Sequence, residues 1–191
     1  MPLLAEAIIF IIDLYIMAVL LRFFMQYFRT DFYNPFAQSI VKLTNPVLVP
    51  LRKLIPGFSG IDMASLVFAL LLTIITVILT TQISSFLSTS NILPFLGLMV
   101  LRLLSTSIDL FFYLVIGRII LSFVMMGQGG YQSNPIFDLV MQLTQPLMAP
   151  FQKIIPPVGM IDFSPIALFF VLRLSQRGLA MLAEPLYRAM M

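Results

Sequence analysis

Cysteine, histidine and tryptophan are all missing from this 191-residue chain, and the absences remove whole classes of chemistry. Without Cys or His there is no disulfide, no Ser-His-Asp or Cys-His nucleophile, no thiolate or imidazole metal site and no CxxCH haem attachment. No metal and no cofactor are expected, and the redox compartment is not legible. Without Trp, any aromatic belt on the inner membrane edge falls to Tyr27, Tyr33 and Tyr131. Charge is scarce too: Asp, Glu, Lys and Arg make up 10% of the residues, against about 25% in an ordinary soluble domain. That is too little to coat a soluble globule. The net charge of +3 fits basic residues at membrane edges better than a nucleic-acid surface, so nucleic acid is not an expected partner.

What the chain has instead is apolar length. From Met63 to Leu101 no residue is charged, and about 20 such residues cross a bilayer. Four apolar segments are read as spans: Leu3 to Phe28, Met63 to Leu87, Phe95 to Met126, and Phe163 to Leu182, the last weakened by Arg173 and Arg177. Nothing basic precedes the first run and Glu6 lies inside it, so it reads as a retained span rather than a cleaved signal. The fold class is all-α and integral to a membrane, with four transmembrane helices.

An internal duplication organises those spans. Asn34-Pro35 recurs as Asn134-Pro135, and Thr44-Asn45-Pro46 as Thr144-Gln145-Pro146. Pro50-Leu-Arg52-Lys53-Leu-Ile-Pro56 recurs as Pro150-Phe-Gln152-Lys153-Ile-Ile-Pro156, and Ile61-Asp62 as Ile161-Asp162. These hold an offset of 100, whereas Asp13 and Arg22 match Asp109 and Arg118 at an offset of 96, the difference being absorbed in the glycine-rich stretch before Asn134. Residues 1–90 and 91–191 each read as helix, proline-punctuated amphipathic segment, helix. Two spans return the chain to its starting side, so the tandem repeats are parallel and an approximate two-fold along the membrane normal is expected.

Within the proline segments, Asn34 and Asn134 are expected N-caps, with Pro35 and Pro135 at the first helical position. Pro46, Pro50 and Pro56 are expected to break the rest of the segment into short interfacial helices. Arg52, Lys53 and Lys153 disfavour deep insertion and suit either anionic headgroups or topology determination. Basic residues concentrate on this side, which puts the proline segments in the cytoplasm and the termini outside.

The doubled pattern Asp31-Phe-Tyr-Asn-Pro-Phe36, Thr44-Asn-Pro46, Pro50 to Pro56 and Ile61-Asp62 resembles the YggT family of bacterial membrane proteins, related to the YlmG proteins of Gram-positive bacteria, cyanobacteria and chloroplasts. The second copy departs from it with Gln152 and Gln145 where the first has Arg52 and Asn45. The resemblance implies a bacterial inner-membrane protein associated with osmotic-stress tolerance, ion homeostasis, cell division or envelope organisation, and assembly of membrane complexes. It supplies no catalytic residue.

The charges inside the spans are the sharpest functional clue, because each costs at least about 2.5 to 3.5 kcal/mol to insert. Arg22 and Arg118 are expected to snorkel to the inner surface. Asp13 and Asp109 lie deeper and are expected to meet Arg173 and Arg177, either as an ion-pair network fixing helix register or as a proton or cation site. Asp109 lacks the GxGD context of intramembrane aspartyl proteases, and enzyme function is not expected. The leading expectation is a non-enzymatic protein whose partners are membrane lipids, envelope or division proteins, and a second copy of itself. A role in moving an ion (K+ or H+) or osmolyte through the charged interior is the alternative.

Overall fold

The computed structural model describes residues 2–58, 60–81, 92–127, 134–155 and 162–190. Among them the chain forms α1 (Pro2–Tyr27), α2 (Pro35–Leu54), α3 (Met63–Thr81), α4 (Ile92–Gly127), α5 (Pro135–Ile154) and α6 (Ser164–Met190). Four of these, α1, α3, α4 and α6, are long and apolar enough to cross a membrane. The fold is all-α and built of membrane-spanning helices. The expected turn around Ser84 to Asn91, the end of the second span, the glycine stretch at 128–130, Tyr131, Pro156 and Ile161 lie outside the described residues.

Each spanning pair forms a hairpin, α1 on α3 and α4 on α6, with a proline helix tucked against it. Ile16, Val19 and Leu20 of α1 bury against Ala69 of α3 and Leu103 and Leu110 of α4. Phe111, Phe112 and Val115 of α4 do the same with Met148 of α5 and Leu168 and Leu172 of α6. At the opposite end from the proline helices, Val77 meets Phe95 and Leu98, and Gly97 sits so close to Leu186 that an added Cβ would lie 2.8 Å from its Cδ1.

The proline helices are continuous, contrary to the short pieces expected. Pro46 and Pro50 lie inside α2, and Pro146 and Pro150 inside α5. A proline removes one intrahelical bond and crowds the carbonyl four residues back. Spaced four apart, the two prolines of each helix share one face, and all four are exposed. The freed carbonyls therefore open away from the packed side. That side carries Ala37, Thr44 and Leu48 in α2, and Leu143, Thr144 and Met148 among others in α5.

Caps follow the sequence closely. Asn34 Oδ1 accepts from the amides of Phe36 and Ala37, at 2.9 and 3.4 Å, and Asn134 Oδ1 from those of Ile136 and Phe137, at 3.0 and 3.4 Å. At the end of α1, Arg29 takes a φ of 54° and the Thr30 amide donates to the Met25 carbonyl at 2.9 Å, a left-handed stop that redirects the chain into α2.

Between the repeats, the Phe24 ring packs on Phe111, centroids 4.6 Å apart, and Asp13 pairs with Arg102, so α1 and α4 meet through residues that do not hold matching places in the two repeats.

Candidate functional site

Two polar clusters, one per repeat, join each spanning helix to its proline helix. In the first, Arg22 is only 4% exposed. Its Nη1 donates to Thr44 Oγ1 at 2.6 Å and to the Val41 carbonyl at 3.2 Å. Thr44 is free to accept because its own hydroxyl donates back to the Ile40 carbonyl at 2.8 Å. In the second, Arg118 is 8% exposed; Nη1 donates to Thr144 Oγ1 at 2.9 Å, and Nη1 and Nη2 to Gln145 Oε1 at 3.3 and 3.2 Å. Neither arginine snorkels outward. Each is a latch holding a proline helix against a span, because a threonine on the helix's packed face offers the acceptor.

A second contact closes each cluster at the far end of the proline helix. Arg52 forms an ion pair with Asp62, whose carboxylate also accepts from the Ser65 hydroxyl and, at 3.4 Å, from the Ser65 amide at the start of α3. Burial pushes the Asp62 carboxyl up, but the hydrogen bonds from Arg52 and Ser65 and the guanidinium charge outweigh it and leave it below the usual carboxylate range. In the second repeat the amide Gln152 Nε2 donates to Asp162 Oδ2 at 2.9 Å, and Asp162 Oδ1 accepts from the Ser164 amide at 2.8 Å. Asp162 is likewise lowered: burial acts upward, and the bonds from Gln152 and Ser164 prevail.

The two departures between the repeats prove to be coupled. Gln145 bridges Arg118 to Gln152 through a 3.0 Å bond from its Nε2 to Gln152 Oε1, so a chain of amides runs from Arg118 to Asp162. Where the first repeat has Arg52 in direct contact with its aspartate, the second carries a neutral relay. The two proline helices also touch each other. Asn34 Nδ2 donates to the Pro135 carbonyl at 2.6 Å, and the Asp31 amide to Gln142 Oε1 at 2.7 Å, which sets both at one end of the bundle. Lys53 and Lys153 are exposed beside Leu54, Phe58 and Ile154.

The deeper charges are distributed differently. Asp13 Oδ2 pairs with Arg102 at 2.5 Å, while Asp13 Oδ1 is buried with no hydrogen-bond partner among the described residues. Asp109 accepts from Gln176 Nε2 at 2.6 Å. Arg173 stands over the Phe112 ring, 4.4 Å from its centroid, and donates to Gln176 Oε1 at 3.3 Å. Arg177 is exposed beside Phe170 and Leu174. Asp109 is within electrostatic reach of Asp13, Arg102 and Arg173, but α6 offers it a glutamine as direct partner and sets Arg173 against a ring. Arg102 and Gln176 were missed by pattern, because Glu6 and Thr76 hold the matching places in the first repeat. Among the described residues no group of acidic side chains could hold a metal ion.

A sequence model described as CCB3/YggT matches residues 1–83 and 97–183. The chain is 42% identical to an uncharacterized protein of Vibrio alginolyticus encoded in a proC 3' region, over 84% of each chain. It is 42% identical to an uncharacterized protein of Pseudomonas aeruginosa, over 85% of this chain and 80% of the relative. To the uncharacterized protein YggT of Escherichia coli K12 it is 39% identical, over 89% of this chain and 85% of the relative. No solved structure matches the chain. With a family model covering nearly its whole length and relatives aligned over most of theirs, the chain belongs to the CCB3/YggT family.

Proposed function

We propose that this protein is a non-enzymatic organiser of the bacterial inner membrane. Its proline helices face the cytoplasm, where they contact anionic lipid and partner proteins in envelope organisation, division, complex assembly or osmotic-stress tolerance. The observation that carries this reading is where the intramembrane charges go. Asp13 is held by Arg102, Asp109 by Gln176, and Arg22 and Arg118 by threonines of α2 and α5. Groups committed to one another fix helix register and are poor stations for a moving ion. The exposed Lys53, Leu54, Phe58, Lys153 and Ile154 combine apolar and basic side chains as an interfacial surface requires, each basic residue contributing about 1 kcal/mol near anionic lipid.

A second reading, movement of an ion (K+ or H+) or osmolyte, draws on one feature: the buried Oδ1 of Asp13, which has no hydrogen-bond partner among the described residues. Flux through proteoliposomes under K+ and H+ gradients separates the two. Organisation predicts flux equal to that of empty vesicles. A current that disappears in Asp13→Asn reverses the ranking.

A further inference from the structure

At the end of the bundle away from the proline helices, α4 and α6 line a cavity of about 620 Å³. Its volume lies in the range of small-molecule sites, about 300 to 1,000 Å³, which combine apolar walls with a few convergent polar groups. Leu98, Leu101, Ala180 and Ala183 form the apolar walls here. The polar groups of the lining are unusual in being unspent. Arg102 gives Asp13 a single bond from Nη2. A guanidinium carries five N–H donors, and Arg102 Nε and Nη1 are neither bonded to a described residue nor sealed from the cavity. The Ser105 and Tyr187 hydroxyls likewise have no hydrogen bond within the described structure. At the rim, Glu184 and Arg188 pair with one another.

We propose that this cavity is a binding site for an anionic amphiphile, a phosphate or carboxylate carried on an acyl chain. The anionic group accepts from the free donors of Arg102 and from the Ser105 and Tyr187 hydroxyls. The chain lies along the leucine and alanine walls. An anion is selected over a cation because Arg102, the one uncommitted charged group of the lining, can only donate, the Ser105 and Tyr187 hydroxyls can donate beside it, and the one carboxylate of the lining already holds Arg188. The site belongs to the second repeat alone. In the first, Glu6 stands where Arg102 does, and a carboxylate there would repel the same ligand. The site does not depend on the organising role proposed above, and the flux experiment leaves it untouched.

The absence of Trp makes Leu101→Trp a sole tryptophan reporter on the apolar cavity wall, with the three proposed donors left in place. The full-length variant in maltoside micelles is titrated with dibrominated phosphatidylglycerol, dibrominated phosphatidylcholine and dibromostearate, and quenching is followed. Saturable quenching by phosphatidylglycerol or stearate at a midpoint about tenfold below that of phosphatidylcholine, about the effect of one charge-assisted hydrogen bond, is expected. The tighter of the two anions names the source, a lipid phosphate or a free carboxylate. Adding Ala180→Phe, which fills the cavity from its apolar wall, removes the saturable component, and Arg102→Lys keeps a weakened preference. Equal midpoints for the three probes, or saturable quenching that persists in Ala180→Phe, overturns the proposal. The probe comparison needs no cavity-filling variant, so a folding failure in Ala180→Phe leaves it decisive.

Discussion

Thr44→Val tests the latch that the structure places between span and proline helix. Valine matches threonine in shape, so packing around this fully buried side chain is preserved and only the hydroxyl is lost. Arg22 then keeps a 3.2 Å bond to the Val41 carbonyl and loses the 2.6 Å bond to Thr44. Its Nε has no partner at all among the described residues. A hydrogen bond to a charged group contributes about 1.5 to 3 kcal/mol in water-soluble proteins. Interhelical bonds in membranes average nearer 0.6 kcal/mol, with a maximum of about 1.7. For a charge this deeply buried the expected cost is about 1.5 to 2 kcal/mol, which is roughly 10- to 30-fold in the unfolding constant. Thr144→Val supplies the internal control. Arg118 retains Gln145 Oε1 through both Nη atoms, so the cost there is expected to stay below about 1 kcal/mol. Unfolding in mixed micelles of rising sodium dodecyl sulfate, followed by circular dichroism, measures both. If Thr144→Val destabilises as much as Thr44→Val, or if neither has an effect, the latch does not hold the helices together.

Two ion-paired carboxylates provide further tests. Because Asp62 is lowered below its ordinary value of 3.8, its contribution to stability is complete above that value and is lost as pH falls through the lower folded value. Asp62→Asn is therefore expected to destabilise at neutral pH by about 1 to 3 kcal/mol and to flatten the acid limb of a stability profile taken between about pH 5 and 2; an unchanged acid limb contradicts the assignment. For the Asp13 and Arg102 pair, Asp13→Leu and Arg102→Leu are each expected to cost more than the double variant. A lone intramembrane charge is worse than none, and thermal aggregation in detergent ranks the three. Equal costs that simply add would show that the two side chains are not coupled.

Composition and periodicity decided the class of this protein unaided. Uncharged runs longer than a bilayer demand spanning helices, and the doubled Asn-Pro, Thr-x-Pro and Ile-Asp signals mark the same caps and contacts in both repeats. Such features are local, fixed by residues a few positions apart, so one stretch of sequence contains them. Other facts depend on how separate helices slide past one another. The packing of Phe24 and Phe28 around Phe111 joins positions that do not match between the repeats, and no motif gives Asp13 to Arg102 or Asp109 to Gln176. Burial of Arg22 and Arg118 needed the same information, since an arginine near a helix end reads as a snorkelling group until a threonine from another helix is seen beneath it. The continuity of the proline helices is the converse case. Local propensity argued for a break, and it was overruled because Pro46, Pro50, Pro146 and Pro150 all face outward, while Thr44 and Thr144 on the opposite face are bound by buried arginines. Sequence alone thus determined which charges are placed in the membrane, and tertiary packing decided which partner each one meets.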